Sequence, residues 1–217
     1  MLNNLDLQKR VLEALDWEPG LDASAIGVAA SGGVVTLTGQ VQSYADRFSA
    51  ERVVKRIVGV KGLANDLEVR LPLAANRSDT DLATAAVRAL EWDVQVPHQG
   101  VKVRVADGWI TLEGEVEWQF QREAGLRAVR HLLGVRGVTN LIMLAVKPAP
   151  GDLKRRIETA LKRNAELEAR EIKVLTKGGS VVLSGAVHSW SERDEAERAV
   201  WSAPGVTAVD DRLAVTI

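Results

Sequence analysis

TLTGQV (36–41), TLEGEV (111–116) and VLSGAV (182–187) are three versions of one apolar strand with a glycine in its second half. Their glycines, Gly39, Gly114 and Gly185, are separated by 75 and then 71 residues, and the pairs Gly59-Val60, Gly134-Val135 and Gly205-Val206 recur at the same offsets. The stretch between the two marks therefore has a constant length in each copy. Self-similarity at a fixed period marks a tandem array, which has to be recognised before any residue is given a role. The period divides the chain into units 1–71, 72–147 and 148–217.

Working outward from the glycine strand, the residues before it alternate between apolar and polar. Ile26, Val28 and Ala30, then Val101, Val103 and Val105, then Ile172, Val174 and Thr176 mark a first strand. Gly32-Gly33, Asp107-Gly108 and Gly178-Gly179 separate it from the second. Such pairs suit a tight hairpin turn, which predicts antiparallel neighbours. Further upstream, Leu7, Val11, Leu12 and Leu15 repeat as Leu82, Ala86, Val87 and Leu90 and as Leu153, Ile157 and Leu161, with Glu158 in place of one apolar residue. That spacing predicts one buried face of a short amphipathic helix, opened by an acidic cap at Asp6, Asp81 and Asp152.

Downstream, a second helix is predicted over 44–57, 119–132 and 190–203, with Val54, Val129 and Val200 facing inward. Gly59, Gly134 and Gly205 stand where a C-terminal glycine cap belongs. A third strand follows through Leu67, Ile142 and Leu213. The class is α+β: three tandem αββαβ domains, each a three-stranded mixed sheet with two helices on one face. Linkers are expected at 71–79 and 147–151, where Pro148 and Pro150 stiffen the second. The second and third units are thus expected to hold a fixed relation, while the first swings more freely. Each unit is small enough that some mutual support between units is expected.

Composition excludes several function classes. Hydrophobic residues make up 46% and charged residues 26%, with a net charge of −1, ordinary values for a globular chain. Residues 1–70 carry 8 Lys/Arg against 9 Asp/Glu, residues 71–146 again 8 against 9, and residues 147–217 carry 12 against 11. No unit has the basic excess that phosphate-backbone binding favours, so nucleic acid is not the expected partner. With no cysteine, disulfides and thiolate metal sites are excluded. No stretch reaches the roughly 20 apolar residues of a membrane span and no leader pattern precedes the first unit, which reads as cytoplasmic, or as periplasmic if a leader was removed.

No motif for catalysis or for a cofactor emerges. His98, His131 and His188 fall at different repeat positions, Ser43, Ser189 and Ser191 lack a GxSxG context, and no phosphate-cradle motif is present. The reading is that the chain is not an enzyme and takes neither metal nor cofactor. Gly39, Gly114 and Gly185 are assigned a backbone role, as a bulge or a close approach.

The texts GVKGLANDLEV (59–69), GVRGVTNLIML (134–144) and GVTAVDDRLAV (205–215), with the hairpin and the lone strand glycine, resemble the BON domain. That family is named for bacterial osmotic-shock and nodulation proteins, and the likeness covers the chain as three copies. The resemblance implies phospholipid binding and a part in osmotic or envelope stress. Arg47, Arg122 and Arg193 share one repeat position and Arg52, Arg127 and Arg198 another, beside the aromatics Tyr44, Trp118 and Trp190. These are the candidate binding residues, with cations on lipid phosphate and rings at the interface; a solvated helix face is the competing reading. The expected partner is an anionic phospholipid surface or an envelope protein. Alternatives are a self-associating or chaperone-like interaction scaffold, and small-cation sensing such as potassium. Trp17 and Trp92, at one repeat position, are expected to pack the end of the first helix or meet a partner; Trp109 and Trp201 are expected to make contacts specific to one unit.

Overall fold

The computed structural model describes residues 3–145, 151–163 and 172–216. The first unit runs α1 (Asn4–Asp16), β1 (Ile26–Ser31), β2 (Val34–Val41), α2 (Tyr44–Lys55) and β3 (Gly62–Val69). The second repeats this as α3 (Asp79–Trp92), β4 (Val101–Ala106), β5 (Trp109–Val116), α4 (Gln119–Arg130) and β6 (Gly137–Leu144). The third is α5 (Leu153–Arg163), β7 (Lys173–Lys177), β8 (Ser180–Val187), α6 (Trp190–Trp201) and β9 (Ala208–Val215).

Each unit folds one three-stranded sheet in sequence order, with the glycine strand in the middle. The hairpin pair is antiparallel and the last strand joins parallel, so α2, α4 and α6 are crossover helices. This is the αββαβ arrangement with a mixed sheet that the periodicities predict. The two helices of a unit pack on the sheet over one apolar cluster; in the first unit it contains Leu7, Val11 and Leu15 of α1, Val35 and Leu37 of β2, Val54 of α2 and Leu67 of β3.

The glycine of the middle strand is explained by the backbone. Gly39, Gly114 and Gly185 have φ of +109°, +134° and +130°. A Cβ at Gly39 would stand 2.0 Å from the Ala25 carbonyl oxygen, and one at Gly114 2.0 Å from that of Gly100. Only a residue without a side chain permits both that conformation and that approach.

Local chemistry corrects the expected caps. Asn3 and Ser78 cap α1 and α3 by accepting from the N–H groups of Asp6 and Asp81, which lie in the first turn and complement the helix dipole instead of capping. One residue on, Asn4 and Asp79 accept from the hairpin turns, Asn4 from Gly32 and Asp79 from both Asp107 and Gly108. The start of each of these helices thus anchors the loop of its own hairpin. Ser43 and Ser189, without a catalytic context, cap α2 and α6. The crossover helices end at Lys55, Arg130 and Trp201, short of the predicted ends, and Gly59, Gly134 and Gly205, all with positive φ, turn the chain beyond the caps toward the last strand. Leu12 and Val87 are 38% and 44% exposed. Glu158, at the same repeat position, therefore replaces no buried residue.

Candidate functional site

The crossover helices meet across the units. Tyr44, the first residue of α2, packs against the apolar cluster of the second unit. Burial pushes its phenol pKa up, with Arg47 the largest opposing influence and the Val138 backbone of the second unit a smaller one. Trp190, the first residue of α6, packs against the cluster of the first unit. The equivalent residue of α4 is Gln119, which lines a cleft with Arg198, Trp201 and Ser202 of the third unit.

A second set of equivalent positions completes the pattern. The fifth residue of each crossover helix is Phe48, Glu123 or Asp194, and the twelfth is Lys55, Arg130 or Trp201. The Arg130 guanidinium lies 4.3 Å from the centroid of the Phe48 ring, a cation–π contact between the second and first units. Glu123 and Trp201 line one cleft between the second and third units. Asp194 and Lys55 line another between the third and first. Asp194 keeps its solvent access, yet the walls of that cleft raise its carboxyl pKa, opposed first by the Lys55 ammonium. The fifth residue of each crossover helix thus faces the twelfth of the next unit's crossover helix, and the third unit returns to the first. A head-to-tail contact that closes after three steps makes a ring with a pseudo-threefold axis. The first unit is held on both sides and does not swing freely; the Pro148–Pro150 link lies outside the described residues.

Most of the candidate arginines have partners inside their own units. Arg47 donates to the Asn65 carbonyl oxygen at 2.9 Å. Arg193 bonds the Asp211 carboxylate at 2.6 Å and the Asp211 carbonyl oxygen at 3.1 Å. In the second unit the helix-to-strand tie is made by Asn140, whose amide donates to the carbonyl oxygen of Arg122. Arg52 pairs with Glu18, Arg127 donates to Gln95, and Arg198 pairs with Glu195. Trp118 precedes α4 by one residue, so it is not at the repeat position of Tyr44 and Trp190. Trp190 stacks with Arg193 at 4.8 Å while it contacts the first unit.

The other tryptophans separate into two kinds. Trp109 donates to Thr139 and covers Gly137, while Trp201 donates to Glu197 at the repeat positions where Lys55 pairs with Glu51 in the first unit. Trp17 and Trp92 are each 85% exposed, which removes the expected packing role at the helix end. Equivalent residues recur on the same face of a closed ring, so both indoles stand on one face with Arg163, the third residue of that position. On the same helix as Arg163 are Lys154, Arg155, Arg156 and Lys162, with Asp152 pairing Arg155 and Arg156.

Among the described residues, no group of three or more His, Cys, Asp or Glu is placed to hold a metal ion, and no helix is long and apolar enough to cross a membrane. The BON domain matches the chain three times, at residues 3–70, 78–146 and 151–217. Osmotically-inducible protein Y of Escherichia coli (strain K12) is 30% identical over 135 residues, which is 60% of this chain and 67% of that protein. Two solved structures of CdsD, a structural protein of the type III secretion system of Chlamydia trachomatis, align at 13% identity and a TM-score of 0.27. One, its C-terminal domain, aligns over 100% of both chains, and the other over 97% of this chain and 92% of its own. At that score the likeness carries no argument. With its three matches spanning nearly its whole length, the chain belongs to the BON domain family.

Proposed function

We propose that this protein is a non-catalytic binding protein of osmotic stress that docks on anionic phospholipid surfaces through the ring face bearing Trp17, Trp92 and Arg163. The observation that carries the reading is the pair of indoles, 85% exposed at one repeat position. Exposing two such rings to water has a cost that a membrane interface removes, because indole prefers the boundary between headgroups and acyl chains. Lys162 and Arg163, in the last turn of α5, occupy the same helix end in the third unit, and lysine or arginine near an anionic leaflet contributes about 1 kcal/mol each. Family membership and the osmotically inducible relative support the stress association.

The test is flotation of the full chain with anionic and with zwitterionic vesicles at low salt, where headgroup attraction is strongest. The protein is expected to rise with the anionic vesicles, and Trp17→Ala/Trp92→Ala to remain behind while folding normally. Equal flotation of the double variant, or none by the parent, refutes the docking face.

A further inference from the structure

The three junctions of the ring use equivalent positions but differ chemically, and one of them lacks something the others have. Between the first and second units, the cation is Arg130, held over Phe48. Between the third and first, it is Lys55, which pairs with Glu51 of its own helix at 2.9 Å and lines a cleft with Asp194. Between the second and third, the corresponding residues are Glu123 and Trp201. Here the acid is retained and the position of the cation is taken by an indole.

This junction also contains a partly open cleft of about 310 Å³, lined by Trp118, Gln119, Phe120, Glu123, Arg198 and Trp201. That volume is at the small end of the range for small-molecule sites, about 300–1,000 Å³. Three aromatic rings, one carboxylate and the Arg198 guanidinium border it. Glu123 accepts from Gln119 at 3.2 Å and has no cation within ion-pair distance among the described residues. The charge of Arg198 is offset by Glu195. The side-chain oxygen of Gln119 is buried without a partner.

We infer that this cleft binds an alkylated ammonium group, which restores from solution the cation that the protein supplies at its other two junctions. Aromatic faces attract a cation through their quadrupole, and methyl groups on the nitrogen suit an apolar wall better than a strongly hydrated ion does. Glu123 provides the counter-charge. The bound group bridges α4 and α6, so occupancy strengthens the second-to-third junction. This inference is independent of the docking face, which lies at the ends of α1 and α3.

The test titrates the full chain with tetramethylammonium chloride against sodium chloride at matched ionic strength, reading heat and the indole N–H resonances of Trp118 and Trp201. Saturable binding is expected. Glu123→Gln should weaken it up to about fivefold, as the loss of one partly exposed ion pair implies. Trp201→Lys, which installs a cation as Lys55 does, should abolish it. Vesicles carrying phosphatidylcholine identify the source: recruitment that depends on Glu123 assigns the ammonium to a lipid headgroup, and its absence assigns it to a soluble ligand. Lack of saturation, unchanged binding by Glu123→Gln, or the same response to potassium chloride overturns the inference.

Discussion

Two glycines of the second unit, 11 residues apart in sequence, should respond in opposite directions to the same substitution. Gly125 is buried within α4, and the equivalent residues of α2 and α6 are Ala50 and Ala196, both fully buried. A Cβ at Gly125 would meet only side-chain ends, Ile142 at 3.4 Å, Leu112 at 3.7 Å and Leu90 at 3.8 Å, which are ordinary contact distances. Gly125→Ala removes the helix penalty of glycine, about 1 kcal/mol, and buries one more methyl group. A gain of about 1 kcal/mol or somewhat more follows, equivalent to roughly 2–4 °C in Tm for a chain of this size. Gly114→Ala places its Cβ 2.0 Å from the Gly100 carbonyl oxygen, at a φ of +134°. The backbone strain alone costs about 1–3 kcal/mol, and the carbonyl must also retreat by about an ångström, so the loss should be about 3 kcal/mol or more. Urea denaturation followed by far-UV circular dichroism measures both. A destabilised Gly125→Ala, or a Gly114→Ala within about 0.5 kcal/mol of the parent, would refute the account of the repeat glycine.

The ring makes further predictions. Trp190→Ala removes half-buried aromatic surface between the third and first units and should cost about 2 kcal/mol at 25 cal/mol per Å², with faster amide exchange in both units. Exchange confined to the third unit would argue against closure. A double-mutant cycle on Phe48→Ala and Arg130→Ala should return a coupling of about 0.5–1 kcal/mol; zero coupling in urea titrations would dissolve that junction. His131 has its pKa lowered by burial first and by Arg130 second. Its folded form therefore binds protons less readily than the unfolded chain, and stability should be lost as pH falls below about 6.5. His131→Gln should flatten that limb of a Tm-against-pH curve, and an unchanged limb would show that the linkage comes from elsewhere.

The fold was largely legible because each signal is local. Alternation gave the strands, the paired hairpin residues gave the antiparallel turn, and a 3.6-residue period gave the helices. The failures are informative in the same terms. Asp6 and Asp81 resemble caps in the sequence because acidic residues suit both the cap and the first turn, and only the hydrogen bonds to Asn3 and Ser78 distinguish them. Leu12 and Val87 continued an apolar pattern onto a face that nothing covers. Repeated arginines on a helix suggested an outward surface, but Arg47 and Arg193 reach the last strand of their own unit, a distance of 18 residues that no helical period encodes.

The junctions could not be read at all, and their chemistry gives the reason. In a ring of identical subunits, one substitution changes every interface at once, so complementary residues recur and leave a periodic mark. In a single chain of three units, each junction can change alone. Phe48 with Arg130, Asp194 with Lys55, and Glu123 with Trp201 satisfy one geometric position by three different chemistries. Aligned by repeat, those columns look like noise: an aromatic and two acids, then two cations and an aromatic. The order appears only when the fifth residue of one helix is compared with the twelfth of the next unit. In these two columns, the disagreement between copies marks where the units recognise one another. At the second-to-third junction an acid faces an indole, the one lining arginine is offset by Glu195, and the cleft is bordered by three aromatic rings.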